Sequence, residues 1–327
     1  MNRKNYDLVD LTKFIQAILV ISIHAGVPGA SWIGRIAVPY FFIVSGYFYF
    51  KKYNQLLSNT ERLKSYFGYS KRILGLLMIW NLMYLPLIVY NIISKGNFSI
   101  VETGFLFLIG RLPGLGVSWY LCASIVGLGT LLLMMHLFGN MVTFVITIII
   151  EVGLILFSGY HSVLSNISYV FDDEILNNIM YSFIRSWLYL FLGFCLSKHL
   201  DRISFVSKKC ISVVLAVYLI EHFYLNVFDV WTGGVGTDET LFVPLLSFCI
   251  AVYTLKSKLT ISSTLLLRRL STFIYLAHSG VLTLHESLIG GNFILNINVV
   301  KWIITFIVVC AIYYILSRRS ALIKLVV

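Results

Sequence analysis

Apolar positions in this chain gather into long uninterrupted runs instead of alternating with polar ones. Ten such runs lie at about 10–26, 33–50, 73–93, 117–137, 141–158, 180–197, 210–228, 241–255, 270–286 and 297–316. Most have the length a helix needs to cross roughly 30 Å of hydrocarbon at about 1.5 Å per residue. A transmembrane barrel would show short alternating segments instead. The pattern therefore predicts an all-α, polytopic bundle of about ten spans. One further apolar stretch, 104–110 (GFLFLIG), is too short to span and reads as re-entrant or interfacial.

Composition agrees: 59% of the 327 residues are hydrophobic and 12% are charged. A net charge of +11 would suggest nucleic acid in a soluble protein, but here its placement encodes topology, and no nucleic-acid partner is expected. Nineteen of the 25 Lys and Arg residues fall on one side of the threaded chain: Arg3, Lys4, Lys51, Lys52, Arg62, Lys64, Lys71, Arg72, Lys198, Arg202, Lys208, Lys209, Lys256, Lys258, Arg268, Arg269, Arg318, Arg319 and Lys324. Glu102, Asp172, Asp173, Glu174, Asp229, Asp238 and Glu239 fall on the other. Cytoplasmic loops hold the excess of basic residues, so both termini are expected in the cytoplasm, and the protein in the cell membrane.

The first run carries Asp10 and Lys13 with no small-residue cleavage site after it, and reads as a retained span. The five cysteines show neither CxxC spacing nor a Cys/His set, so neither a disulfide nor a metal is expected. With no long linker and no soluble domain in view, residues 1–327 read as a single membrane domain.

Ionisable side chains inside spans are costly and mark candidate sites. Asp10, Lys13 and His24 are separated by steps of 3 and 11, which at about 100° per residue bring all three to one face. Lys13 and His24 are then about 16 Å apart along the axis. Locally, Asp10 and Lys13 could form an i, i+3 ion pair. Arg35, Arg185, Glu221, His222 and Lys301 fall in outer halves of spans, with Glu151 and His278 nearer mid-depth. Together they imply an outward cavity, with pairing of Glu151 or Glu221 to Arg185 as the structural alternative. Lys71 and Arg72 suit either a topology anchor or a phosphate-rich ligand.

Several pieces resemble, in order, the acyltransferase-3 family of polytopic membrane proteins. Lys13 followed ten residues later by His24 is similar to that family's first-span signature. The second is Arg35-Ile-Ala-Val-Pro39-Tyr-Phe-Phe-Ile-Val-Ser45-Gly46-Tyr-Phe. Lys71-Arg72, Ser118-Trp119-Tyr120-Leu121, Leu190-Phe-Leu-Gly193-Phe and Ile274-Tyr275-Leu276-Ala-His278 match later landmarks. The first-span base is Lys13 where the family often has Arg, and Tyr69 leaves only Lys71 and Arg72 of a longer basic element.

The resemblance implies transfer of an acyl group, commonly acetyl from acetyl-CoA in the cytoplasm, to a hydroxyl of a saccharide or other small acceptor at the outer face. It implies His24, Asp10 and Lys13 as catalytic residues, and Lys13, Lys71 and Arg72 as ligands of the CoA phosphates. Arg35, Ser45, Trp119, Arg185, Glu221 and His278 would bind substrate. The chain also resembles the membrane domain of the membrane-bound serine racemases of vancomycin resistance. That likeness implies a rival function, transport of a small polar solute such as serine, with a cytoplasmic enzyme domain as partner.

The charge distribution makes a direct prediction. In a cysteine-free background, single cysteines at Lys64 and at Asp238 should be labelled by an impermeant thiol reagent from opposite membrane faces. Labelling of both from one face would overturn the topology.

Overall fold

The computed structural model describes residues 6–94, 99–112, 116–157, 159–160, 183–227, 239–261, 264–289, 297–319, 323 and 326–327. Lys95, Asp172, Asp173, Glu174, Asp229, Asp238 and Lys324 lie outside these residues. The described residues are helical, with no strand among them.

The elements are α1 (Asp7–His24), α2 (Ala30–Gly34), α3 (Ala37–Tyr53), α4 (Asn59–Ser94), α5 (Ile100–Ile109), α6 (Trp119–Phe157), α7 (Ser186–His199), α8 (Lys208–Val227), α9 (Phe242–Lys256), α10 (Thr264–Ile289) and α11 (Asn298–Ser317). Their boundaries follow local chemistry. Ser58 and Glu61 form a reciprocal cap at the start of α4: the Ser58 N–H donates to Glu61 Oε2 at 3.2 Å and the Glu61 N–H to Ser58 Oγ at 3.1 Å. The ten-residue α5 covers the short apolar stretch and ends on Gly110, whose φ of 73° closes the helix in the left-handed region. Gly139 interrupts α6 at φ 75° and ψ 169°, a conformation open to glycine and to little else, at the gap between the fourth and fifth apolar runs.

Among the described residues, five helical stretches are long and apolar enough to cross a membrane. The ten runs outnumber them for physical reasons. The two runs on either side of Gly139 form one broken helix, and α7 and α9 have only 14 and 15 residues. Asp7, Asp10 and Lys13 lower the hydropathy of α1; Arg268, Arg269, His278, His285 and Glu286 lower that of α10.

The chain divides into two compact units. The first comprises residues 1–37, 72–121 and 257–327. Within it, Asp7 accepts from the Ile261 N–H at 2.9 Å, Asp10 from Arg268, and His24 lies against His278. These pairs advance together along both helices, so α1 and α10 run parallel. Tyr84 of α4 reaches residues 276–280, and Trp80 meets Phe273, which sets α4 parallel as well. Trp302 donates to the Ile18 carbonyl at 3.0 Å and Asn298 to that of Gly26 at 2.8 Å, so α11 runs the other way.

The second unit comprises residues 38–71 and 122–256. Two motif glycines set its helix crossing. A Cβ on Gly46 of α3 would meet the Leu190 carbonyl oxygen at 2.8 Å, and one on Gly193 of α7 would meet the Ile43 oxygen at 2.5 Å. Both obstacles are backbone, so the crossing requires small residues on each side. Phe50 against Phe194, with ring centroids 5.1 Å apart, and Phe144 stacked on Phe191 at 5.3 Å extend the contact.

Gly193→Ala should therefore destabilise the protein by about 1–3 kcal/mol through forced backbone separation. Gly75→Ala, where nothing lies within 4 Å, should be neutral or stabilising. Thermal unfolding in detergent, followed by tryptophan fluorescence, distinguishes the two; equal Tm values would contradict the crossing.

Candidate active site

The face of α1 predicted from spacing is organised by α10. At one end, Arg268 clasps the Asp10 carboxylate: Nε lies 3.0 and 3.2 Å from its two oxygens and Nη2 lies 2.8 Å from Oδ2. Asp10 is buried and Arg268 is mostly exposed. Asp10 is thus held by an inter-helix partner fourteen residues before His24, and not by Lys13 one turn away. The Lys13 ammonium lies within electrostatic reach of Asp10, Arg268 and Arg72. Lys13 and Arg268 thus flank the Asp10 carboxylate, and Arg72 of α4 adds a third positive charge that Lys13 senses. Such a group suits phosphate oxygens.

At the other end, His24 opens onto a cavity of about 270 Å³, whose walls also include Gly116, Val117, Ser279, Leu282, Thr283 and Glu286. The His24 ring faces the fully buried His278 with 5.0 Å between centroids. Tyr275 follows His278 at 6.2 Å and Tyr120 follows Tyr275 at 5.4 Å. The first-span histidine, the IYLAH segment and the SWYL segment therefore converge through one file of rings. Ser118 anchors that end by donating to the Gly110 carbonyl at 2.9 Å. Arg35 acts electrostatically on His24 from the joint between α2 and α3.

Sequence spacing missed two contributors. Tyr84 Oη lies 2.9 Å from the Leu276 oxygen, 3.0 Å from that of Ala277, and accepts from the Gly280 N–H at 2.9 Å. It fixes the turn of α10 that carries His278, and Gly280 leaves the room for its ring. Glu286 in the cavity wall pairs with Lys301 of α11 at 3.1 Å. Its signal was its position eight residues after His278, two turns along the same helix.

Ser45, Lys71, Arg185 and Glu221 belong to the second unit. Ser45 is half-buried in α3 and Lys71 exposed in α4. Arg185 is buried with Glu239, its Nε and Nη2 each 2.6 Å from Oε1. Tyr189 Oη lies 2.6 Å from Glu239 Oε2 and 2.7 Å from Glu151 Oε1. A direct partner of Arg185 is thus Glu239, assigned from sequence to a loop, and Glu151 joins the cluster through Tyr189. Glu221 accepts from Tyr160 at 2.6 Å and from the N–H groups of Leu241 at 2.8 Å and Phe242 at 3.3 Å, capping the start of α9. Trp119, half-buried at the start of α6, belongs to the first unit. No group of three or more potential metal ligands occurs among the described residues.

A family profile described as an acyltransferase domain matches residues 6–318, nearly the whole chain. The chain belongs to the acyltransferase-3 family. It is accordingly a multi-pass membrane protein of an acyltransferase family. It is also 28% identical over 144 residues to a protein of Enterococcus faecalis named amino-acid racemase, a match covering 37% of this chain and 19% of the racemase. No solved structure matches it.

In this acyltransferase-3 protein the α10 turn carrying His278 rests on a buried hydroxyl. Tyr84→Phe should cost about 1–3 kcal/mol by leaving backbone groups unpaired, and should lower the thermal midpoint in detergent. Tyr90→Phe, at an exposed position of the same helix, should leave it unchanged. Equal midpoints would remove the role assigned to Tyr84.

Proposed function

We propose that this protein is a ten-pass membrane O-acyltransferase that uses cytoplasmic acyl-CoA, with acetyl as the acyl group, and acylates a hydroxyl of a saccharide or other small acceptor at the outer face. One observation carries the reading. The α1–α10 pair presents Lys13 and Arg268 at one end, with Arg72 of α4 in electrostatic reach of Lys13, and a histidine opening onto a cavity at the other. The axial rise of about 16 Å between Lys13 and His24 is within reach of a pantetheine arm.

Lys13, Arg72 and Arg268 bind the CoA phosphates; Lys71 precedes Arg72 in the sequence. Asp10 holds Arg268 in place. A bare imidazole nitrogen of His24 takes the proton of the acceptor hydroxyl as its oxygen bonds to the thioester carbonyl carbon. The C–S bond then breaks, the thiolate leaves, and the proton passes from His24 to sulfur. The products are ester and free CoA, and His24 returns to its starting form. Arg35 and Trp119, both of the first unit, stand as acceptor-side residues in this proposal.

A second reading follows from the resemblance to serine-racemase membrane domains, in which the same cavity binds a polar solute for transport; there, labelled serine would enter sealed vesicles without consumption of acyl-CoA. The experiment that separates the two is acyl transfer from labelled acetyl-CoA by the purified full chain. His24→Ala and His24→Gln should lower it by about 10²- to 10⁴-fold, the usual cost of a lost general base, while His285→Ala costs far less. Arg72→Ala should raise the KM for acetyl-CoA. Wild-type turnover in His24→Ala would overturn the assignment.

A further inference from the structure

His278 lies entirely within the protein, and its two ring nitrogens have different surroundings. Nδ1 is 3.0 Å from the carbonyl oxygen of Ile274, one turn earlier in α10. A carbonyl can only accept, so Nδ1 carries the hydrogen. Nε2 is then a bare lone pair, and it is buried with no hydrogen-bond partner. A lone pair in that position can only accept, and buried acceptors in native proteins nearly always find a donor.

The polar ring alongside is His24, 5.0 Å away between centroids and tilted by 41°. Each ring nitrogen sits roughly 1.1 Å from its own centroid, so two imidazoles at this separation can turn edge to edge with about 2.8 Å between nitrogens, an ordinary hydrogen-bond length. The backbone on the far side of His278 is held by Tyr84 through residues 276, 277 and 280, which leaves His24 as the more movable partner. His24 is also the only one of the two that opens onto the cavity.

We infer that His278 is a positioning residue: its Nε2 accepts the ring N–H of His24 and thereby sets the His24 tautomer whose bare nitrogen faces the cavity. The order of hydrogen bonds is His24 N–H to His278 Nε2, and His278 Nδ1–H to the Ile274 carbonyl, so both donors and both acceptors are matched. Neutral histidine has one N–H, and committing it to His278 leaves the other nitrogen free as base or nucleophile. His278 touches neither donor nor acceptor in this arrangement. Its role in turnover rests on the acyl-transfer reading; the hydrogen bond itself does not.

The test uses diethyl pyrocarbonate, which carbethoxylates a bare imidazole nitrogen, on the purified full chain, with peptide mass mapping of His24. Exposed His199 in the same molecule is the internal reference. His278→Leu removes the acceptor, and the His24 rate should fall several-fold relative to His199. His278→Gln restores an acceptor oxygen, and the rate should stay within about twofold of wild type, as expected when an outer partner's hydrogen-bonding function is preserved. In acetyl-CoA turnover, His278→Leu should lower kcat by about 10- to 100-fold with the donor KM unchanged, and His278→Gln should recover most of it. An unchanged His24 rate in His278→Leu, or equal loss in Leu and Gln variants, overturns the inference. Because carbethoxylation uses no acyl donor, a protein that transfers no acyl group can still show the pairing.

Discussion

The pairing of α1 with α10 is the contact on which the rest of the first unit is arranged. Both helices carry charges and imidazoles that lipid would not tolerate, and each supplies the other's partners: Arg268 for Asp10 and His278 for His24. A charged group left unpaired in the bilayer costs a few kcal/mol or more, so neither helix is satisfied alone. Because the pairs advance in the same direction along two parallel helices, the spacing between cations and cavity is set by helix rise along α1 and not by a loop. Tyr84, Trp302 and Asn298 then attach α4 and α11 to this pair through main-chain carbonyls. Bonds to main chain tolerate change in the side chain they approach.

The second unit relies on a different constraint, backbone contact. Gly46 and Gly193 allow α3 and α7 to touch, and a buried cluster of Arg185, Glu239, Tyr189 and Glu151 ties α7 to α6 and to the segment before α9. In a soluble protein the desolvation cost of such a buried cluster offsets much of its Coulombic gain. In a helical membrane protein it specifies which faces meet, since apolar side chains find lipid as good a neighbour as another helix.

Much of this was legible in the sequence because it depends on local periodicity. The positions of the helices follow from apolar runs, the break at Gly139 from a glycine between two of them, and the shared face of Asp10, Lys13 and His24 from helical arithmetic. The family was legible through motif order, and the acyltransferase-domain match over residues 6–318 bears it out. What could not be read was which side chain answers which across the bundle. Asp10 had Lys13 three residues away, yet its partner is 258 residues on. Glu239 looked like a loop acid and is wholly buried, because the turn it occupies folds back onto Arg185. Tyr84 carried no signal at all, since its work is done by a hydroxyl on the main chain of another helix.

In the proposed reaction one acyl donor lies along α1, with its phosphates at Lys13, Arg72 and Arg268 and its sulfur at His24. A cryo-EM structure of the full chain with a non-hydrolysable acetyl-CoA analogue tests it most directly. The account predicts density for the pyrophosphate against those three cations and for the thioester mimic within hydrogen-bond reach of the His24 ring. An analogue whose nucleotide lies against other residues, or whose acyl end points away from the cavity, would contradict it.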